Sequence, residues 1–586
     1  MIKLTKKNNA AYYIDYDGNN LEDYLEFAKY LSTAPSRSFD DHVLKWYCSN
    51  VDAQKIQDEL NNRDIGSMMK LKPYNYQRQA IAFCIKQSCG IIHLPCGAGK
   101  TSIGLGAFLE LRKRDESIRG VFVVKAALKD QWFTEVSKFT DLRANILYTL
   151  KKATAKYESR IRKKEKELEK LSQDASKETD QVVAVKKEIE DARKEQRETF
   201  AKLFDTEKYD IFVVNYETIL DPMVRIMLHQ KVKADFWYID EIDCIKSNTA
   251  LRSRAIYEFN KAKYRYGATA TPIRKNPKDL FGIFSFINPL LFPNEKVFDR
   301  TYLKFYYGRI SGSQNEEQLA EKVEPYIFKR TFEQIADQLP QQMVYQIDCM
   351  FTDKQKNMWK KLSKEIDDLG EQKKAMFNRF TPQQLAKNVE YKRVCDGISA
   401  RQTFAQMLAD SEDLLKMSES NMAKQYITNS RSDKVEKCIA LTEKIIQSGQ
   451  KVCIFSRYLG TQDILKKAFA KSSVLKNIKT NILIGGMSAE ARKKSLYEHN
   501  NLNDHAIILA SDAAEAGINL SRTGYMIEFD LADSAAKQTQ RHGRIQRADS
   551  IHKKVVVYQL MTKDSWDEIA MKIVNKKQGY ADRILS

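Results

Sequence analysis

The chain has 586 residues, of which 43% are hydrophobic and 30% charged, the ordinary balance of folded water-soluble protein. That length exceeds what one core serves, so two to four domains are expected. No run of about 18 uncharged apolar residues occurs, and the opening MIKLTKKNNAAYY lacks the apolar centre and small-residue cleavage site of a secretory signal; no membrane association is expected.

Nine cysteines without a CxxC pair and seven dispersed histidines provide no zinc-ligand spacing. They read as free thiols of a reducing compartment, cytoplasmic in a bacterial, phage or viral setting and nuclear in a eukaryote. The net charge is +20, which favours a polyanionic partner because each neutralised phosphate releases condensed counterions. Many basic proteins bind no nucleic acid, so charge alone does not decide the matter.

Residues 1–68 form a small aromatic-rich α+β module that contains PSRSFDDHVLKWYCSNVD (35–52) and the amphipathic AQKIQDELNN. From 69 to 345, apolar runs alternate with helical patterns: GIIHL, VFVVK, DIFVVNY, FWYID and YRYGATA. Short buried runs separated by helices predict a parallel α/β sheet.

The first run leads into LPCGAGKTS (94–102). A strand, a glycine turn and a Lys-Thr pair opening a helix make a phosphate cradle of Pro95, Cys96, Gly97, Ala98, Gly99, Lys100, Thr101 and Ser102. Glycine lets backbone N–H groups approach phosphate, and the helix N-terminus adds partial positive charge. Lys100 would reach the β- and γ-phosphates of ATP, and Thr101 would ligate Mg²⁺. Leu94 stands where the general pattern has its first glycine, so a chance turn remains an alternative for this segment alone.

Residues 151–204 break the rhythm: their first 50 positions hold 15 basic and 12 acidic residues. Leu168, Leu171, Val182, Val185 and Ile189 supply a thin apolar seam. Two helices breaking near SQDASKETD are expected, as an antiparallel coiled-coil arm and a possible seat for a protein partner. A solvated single helix or a partly disordered insert is the other reading.

FWYIDEIDCIK (236–246) ends a strand in Asp240-Glu241, at the strand end where open α/β sheets bind ligands. Asp240 would hold Mg²⁺ and Glu241 would orient the attacking water. Such acidic pairs also occur as solvated strand ends. Residues 346–430 read as mostly helical. The strand–helix rhythm returns over 431–586 in KVCIFS, NILIGG, HAIILAS, YMIEFD and KVVVYQL, a second α/β block. Near its end, QRHGRIQR (540–547) carries Arg544 and Arg547, three apart and on one face if helical. Planar guanidinium groups suit phosphate oxygens, although a basic surface helix would look alike.

In this order the motifs resemble superfamily 2 helicases, and among them the SWI/SNF-like translocases of double-stranded DNA, over residues 71–586 apart from the insert. YQRQAI (76–81) resembles the glutamine motif, with Gln77 reading adenine. KAALKDQW (125–132), DEIDCIKSN (240–248), YGATATPIRKNPKDLFGIFSFINPLLF (266–292) and YIFKRTFEQIADQLP (326–340) resemble successive first-lobe motifs. SDKVEKCIALTEKIIQSGQKVCIFSRY (432–458), IGGMSAEARKKSLYEHN (484–500) and ASDAAEAGINL (510–520) resemble those of the second. Lys125 replaces the usual proline, Asp243 a histidine, and Ala514 and Glu515 a glycine pair.

The resemblance implies two RecA-like lobes sandwiching ATP. Gln540, Arg544 and Arg547 would act across the lobes, with Gly517 and Asn519 on the nucleotide side of the second. It places DNA contacts at Lys125, Gln131, Lys246, Thr269, Ser456, Arg457 and Ser511. PSRSFDDHVLKWYCS resembles the HARP-type module of annealing helicases through Arg37, Phe39, Asp40, Lys45 and Trp46, with Arg37, Lys45 and Trp46 as DNA contacts. A small structural cap built on its aromatics is the alternative.

The implied protein is a monomeric ATP- and Mg²⁺-dependent motor moving along double-stranded or branched DNA, in replication, recombination or repair. A phage or viral transcription- or restriction-associated translocase would use the same motor, and an inactive ATP-gated clamp is the non-enzymatic rival.

Overall fold

The computed structural model describes residues 2–7, 11–16, 36, 38–40, 45–49, 65–172, 179–273, 276–306, 309–331, 334–335, 339–501, 506–512, 518–532, 534–547 and 550–574. They fall into two compact units, one of residues 1–87, 102–117 and 138–141, the other of the remainder.

In the first unit, β1 (Ile2–Lys6), β2 (Ala11–Tyr16), β3 (Ser38–Asp40) and β4 (Lys45–Ser49) form an antiparallel sheet in the order β1-β2-β4-β3. Phe39 lies opposite Trp46 and Asp40 opposite Lys45. Arg37, which completes that pattern, lies outside the described residues. The helix Asn75–Lys86 packs on the helix that ends at Arg114 through Gly106, where an added Cβ would sit 2.5 Å from Ile81 Cδ1.

The second unit is built on two wholly parallel sheets. The first joins β5 (Cys89–His93), β6 (Gly120–Val124), β7 (Ala144–Ile146), β8 (Ile211–Asn215), β9 (Phe236–Asp240), β10 (Tyr264–Thr269) and, after the hairpin of β11 (Leu303–Tyr306) and β12 (Arg309–Ser313), β13 (Ile327–Lys329). Their order is β13-β5-β10-β9-β6-β8-β7. Every residue of β6, β8 and β9 is buried, which explains their unbroken apolar sequences. Each large side chain so buried contributes roughly 1.5–3 kcal/mol. Parallel register brings Thr269 beside His93 and Ala268 beside Asp240, so the ends of β5, β10 and β9 share one edge.

The second sheet joins β14 (Gln341–Cys349), β15 (Val452–Ser456), β16 (Thr480–Leu483), β17 (Ile507–Ser511), β18 (Tyr525–Glu528) and β19 (Lys554–Thr562) in the order β14-β19-β18-β15-β17-β16. All ten apolar runs read as strands are strands. The lobe boundary expected at 345 falls inside β14, which pairs with β19 from Gln341↔Lys554 to Cys349↔Thr562. This strand is an edge strand with most of its residues exposed, so it lacks the apolar run of its neighbours.

Between β14 and β15 the chain is helical, and Leu362, Phe404, Leu408, Leu415 and Tyr426 form a core of their own. Fully buried Lys434 ties this region to the second sheet, 2.8 Å from Asp410 and 2.7 Å from Asp567.

Residues 155–201 form two helices, Ala155–Ser172 and Thr179–Ala201, packed through Ile161, Leu168, Val185, Ile189 and Ala192. The pairs Arg160–Glu195, Glu165–Arg193 and Lys164–Glu188 run in opposite senses, so the hairpin is antiparallel and the single-helix alternative is excluded. No helix among the described residues is long and apolar enough to cross a membrane.

Candidate functional site

The turn after β5 is shaped by two glycines at positive φ, Gly97 at +79° and Gly99 at +70°, where a side chain would be strained. Leu94 is buried, and its carbonyl, with that of Pro95, accepts hydrogen bonds from Lys100 Nζ at 3.2 and 3.0 Å. The lysine of the turn thus folds back on the turn itself. Cys96 and Ala98 are buried, Ser102 is buried in the following helix, and Thr101 is half-buried. Tyr238 of β9 donates to the Lys100 carbonyl at 2.7 Å, which fixes the start of the helix against the strand that carries the carboxylates.

Asp240 ends β9, and Glu241 follows in the left-handed region at φ 54°. Both are buried. Trp132 Nε1 donates to Asp240 Oδ2 at 3.2 Å, and Tyr216 OH donates to the Asp240 carbonyl at 2.7 Å. Burial and the adjacent Glu241 push the Asp240 pKa up to about 6, against the pull of Lys100, Trp132 and Lys125. Lys125, expected at DNA, is half-buried and also faces this cluster. Burial opposes its charge, but Glu241, Asp243 and Asp240 hold its pKa above the usual lysine value.

From the second sheet, the helix Ala535–His542 ends at Gly543, where a side chain has no room because a Cβ would lie 2.2 Å from Cys96 Cβ. The chain then turns through Arg544 and Ile545 and sets the Gln546 carbonyl 2.3 Å from where a Gly97 Cβ would be. Arg544 and Arg547 are thus carried on a turn, not on the single helical face expected. Gln546 Nε2 donates to the Pro340 carbonyl at 2.8 Å, which anchors the turn. Arg544 Nε and Gln540 Nε2 are buried and meet no acceptor among the described residues.

Arg541, between the residues singled out by spacing, is fully buried. It binds Asp512 Oδ1 at 2.6 Å, Asp530 Oδ1 at 3.2 Å and the Asp530 carbonyl at 2.6 Å, with Glu528 Oε1 at 3.6 Å. Asp512 follows β17 and Asp530 follows β18, while Arg457 N, after β15, donates to Asp530 Oδ2 at 2.7 Å. One guanidinium therefore ties strand ends to the turn-bearing helix. The two arginines that follow it drew attention away from it in the sequence.

The other expected residues are less uniform. Gln77 is buried, accepts from Tyr74 N at 3.0 Å and so caps its own helix. Asn519 accepts from Ser521 N at 3.0 Å; Gly517 lies outside the described residues. Thr269, Ser456 and Ser511, expected at DNA, are buried: Thr269 donates to Asp243 at 3.1 Å and Ser456 to the Tyr458 carbonyl at 3.1 Å. Strand ends inside a parallel sheet are covered by the loops they lead into. Gln131 bonds Glu135 at 2.7 Å, and Lys246 lies 3.6 Å from Asp279. For Lys45 and Trp46 only the strand is described.

Strand, glycine turn and buried carboxylates at one sheet edge define a P-loop nucleotide-binding lobe, and the second sheet, whose own turn rests on that loop, makes it one lobe of two. Known families match both halves, the SNF2-related domain over residues 40–408 and the helicase conserved C-terminal domain over residues 433–549. The chain belongs to the SNF2-related family, and its two sheets are RecA-like lobes.

An "uncharacterized ATP-dependent helicase" of Mycoplasma genitalium is 22% identical over 66% of this chain and 34% of its own length. The human "chromodomain-helicase-DNA-binding protein 1" is 24% identical over 63% of this chain and 20% of its own. The chain thus spans about a third of the Mycoplasma relative and less of the human one. The solved "Sulfolobus solfataricus SWI2/SNF2 ATPase core domain" aligns with 89% of this chain and 91% of its own at 21% identity, with a TM-score of 0.36.

Proposed function

We propose that the protein hydrolyses ATP to move along double-stranded DNA. The observation that carries the reading is the seat of the second-lobe turn on the glycine loop, the Gln546 carbonyl lying 2.3 Å from the Cβ position of Gly97. A phosphate chain entering the cradle cannot leave that contact unchanged. Lys100 would exchange the Leu94 and Pro95 carbonyls for phosphate oxygens, and the turn would shift with the lobe that bears it. Arg544 Nε and Gln540 Nε2, buried without acceptors among the described residues, are donors suited to the incoming anion.

Glu241 would orient and polarise the attacking water. Mg²⁺ fits the donor set: Asp240 and Thr101 offer hard oxygen atoms, and burial together with Glu241 disfavours the Asp240 charge that a bound cation would stabilise. When bound, the ion supplies charge neutralisation at the phosphates. Cycles of closing and opening would shift the backbone grip stepwise. Forks or junctions are the favoured substrates if the β3–β4 pairing of Phe39 with Trp46 and Asp40 with Lys45 supports a HARP-like module.

The test is ATP turnover measured without DNA and with single-stranded, duplex, forked and four-way DNA. Stimulation by duplex, and more by branched DNA, is expected; no stimulation by any of them sinks the motor. Replacing Lys45 and Trp46 by alanine should spare the response to linear duplex and weaken that to forks, whereas equal loss on both would make the module structural.

A further inference from the structure

We propose that the outer face of the helix Ala155–Ser172 holds the sugar–phosphate backbone of duplex DNA beyond the two lobes. The inference rests on the duplex-motor reading above. Lys156, Ser159, Lys163, Lys166 and Lys170 follow one another at intervals of three and four residues, so they line one face, and all five are exposed. That face lies opposite the seam, where Ile161 and Leu168 meet the partner helix.

Several acids of the hairpin are paired with other basic groups: Glu188 and Glu167 with Lys164, Glu165 with Arg193, Glu195 with Arg160. Lys163, Lys166 and Lys170 form no ion pair among the described residues. The two helices are also unequal, with seven basic and four acidic residues in the first against five and six in the second. A merely solubilising arm has no reason for that asymmetry.

The row continues at the foot of the arm. Lys152, exposed like the five, lies 4.8 Å from the centre of the Tyr148 ring. From Lys156 to Lys170 the face is about 21 Å long at 1.5 Å per residue. One strand of B-DNA presents about six phosphates over that length. The face has no aromatic or aliphatic anchor of the kind that centres protein interfaces, and lysines act as point charges without bidentate geometry, which suits a backbone held without regard to sequence.

The experiment compares the full chain with its Lys156→Gln/Lys163→Gln/Lys166→Gln/Lys170→Gln variant in fluorescence-anisotropy titrations of duplex DNA over a salt series. The variant should bind about tenfold or more weakly at 0.1 M salt, its salt slope shallower by about 0.9 for each phosphate no longer neutralised. The corresponding Lys→Arg variant should bind as wild type, as should Lys186→Gln/Lys187→Gln on the other helix, and DNA-free ATP turnover should not change. Equal affinity and slope in the glutamine variant and wild type overturn the proposal. So does equal loss in the arginine variant, which would place the effect in the helix itself. Unchanged duplex binding with lost binding of a polyglutamate peptide overturns it in favour of an acidic protein. Wild-type protein that binds duplex without faster turnover refutes the motor alone and leaves the slope comparison decisive.

Discussion

Replacing Arg541 by methionine removes the only group that touches Asp512, Asp530 and Glu528 together among the described residues. The guanidinium is fully buried, so the apolar replacement keeps much of the volume while three carboxylates lose their common cation. Breaking a buried ion pair from one side costs about 3–5 kcal/mol. Against the about 5–15 kcal/mol that holds a typical domain together, that is a large share. For a lobe of this size each kcal/mol moves the midpoint by about 2–4 °C, so the second lobe should melt about 6–20 °C lower.

The effect should depend on pH. Burial alone would raise the Glu528 carboxyl, but His542 and Arg541 overcome it and bring the pKa to about 2 from 4.5. A carboxylate with a depressed folded pKa contributes stability that is present above about 4.5 and lost as pH falls toward about 2. Without Arg541 part of that contribution is gone, so the gap between variant and wild type should be widest near neutrality and narrow below about pH 4.5. Circular-dichroism melts from pH 7 to pH 3 measure it. A loss under about 1 kcal/mol, or a gap independent of pH, would refute the ion-pair account; Arg541→Lys should fall between the two.

Lys100→Ala and Glu241→Gln should abolish ATP turnover while leaving duplex binding largely intact, and Arg544→Ala should cost on the order of 10³-fold in turnover; a loss near twofold returns Arg544 to the basic surface. Gly97→Ala combines strain at φ +79° with a Cβ 2.3 Å from the Gln546 carbonyl, so it should suppress turnover in an otherwise folded chain. Wild-type kinetics for that variant would show that the turn does not rest on the loop in solution. Burial and the Lys451 charge bring the His499 pKa to about 3 from 6.5. Its contribution to stability is therefore present above about 6.5 and lost as pH falls through about 3, and His499→Gln should flatten the melting temperature over that window.

Much of the architecture was legible because strands buried on both faces of a parallel sheet must be apolar at nearly every position. VFVV, IFVV and FWYI announce β6, β8 and β9 without reference to anything distant. The strand–glycine–lysine unit of 89–101 and the Asp240-Glu241 pair were legible too, since backbone freedom and carboxylates at a strand end are local properties. What stayed hidden depended on partners far along the chain. The edge strand β14 is made by β19, 213 residues further on, from Gln341↔Lys554 onward. Arg541 becomes a hub only when β17, β18 and their loops converge on it. Thr269, Ser456 and Ser511 read as surface contacts because a hydroxyl in a motif carries no mark of its burial. Sequence alone thus determined the two parallel α/β blocks and the chemical groups of the cradle, because period, apolarity and glycine act within a few residues. Only the tertiary structure decided that Gly543 lies against Cys96 and that Gln546 comes to rest on Gly97, because such contacts are set by the packing of one sheet's loops on another's.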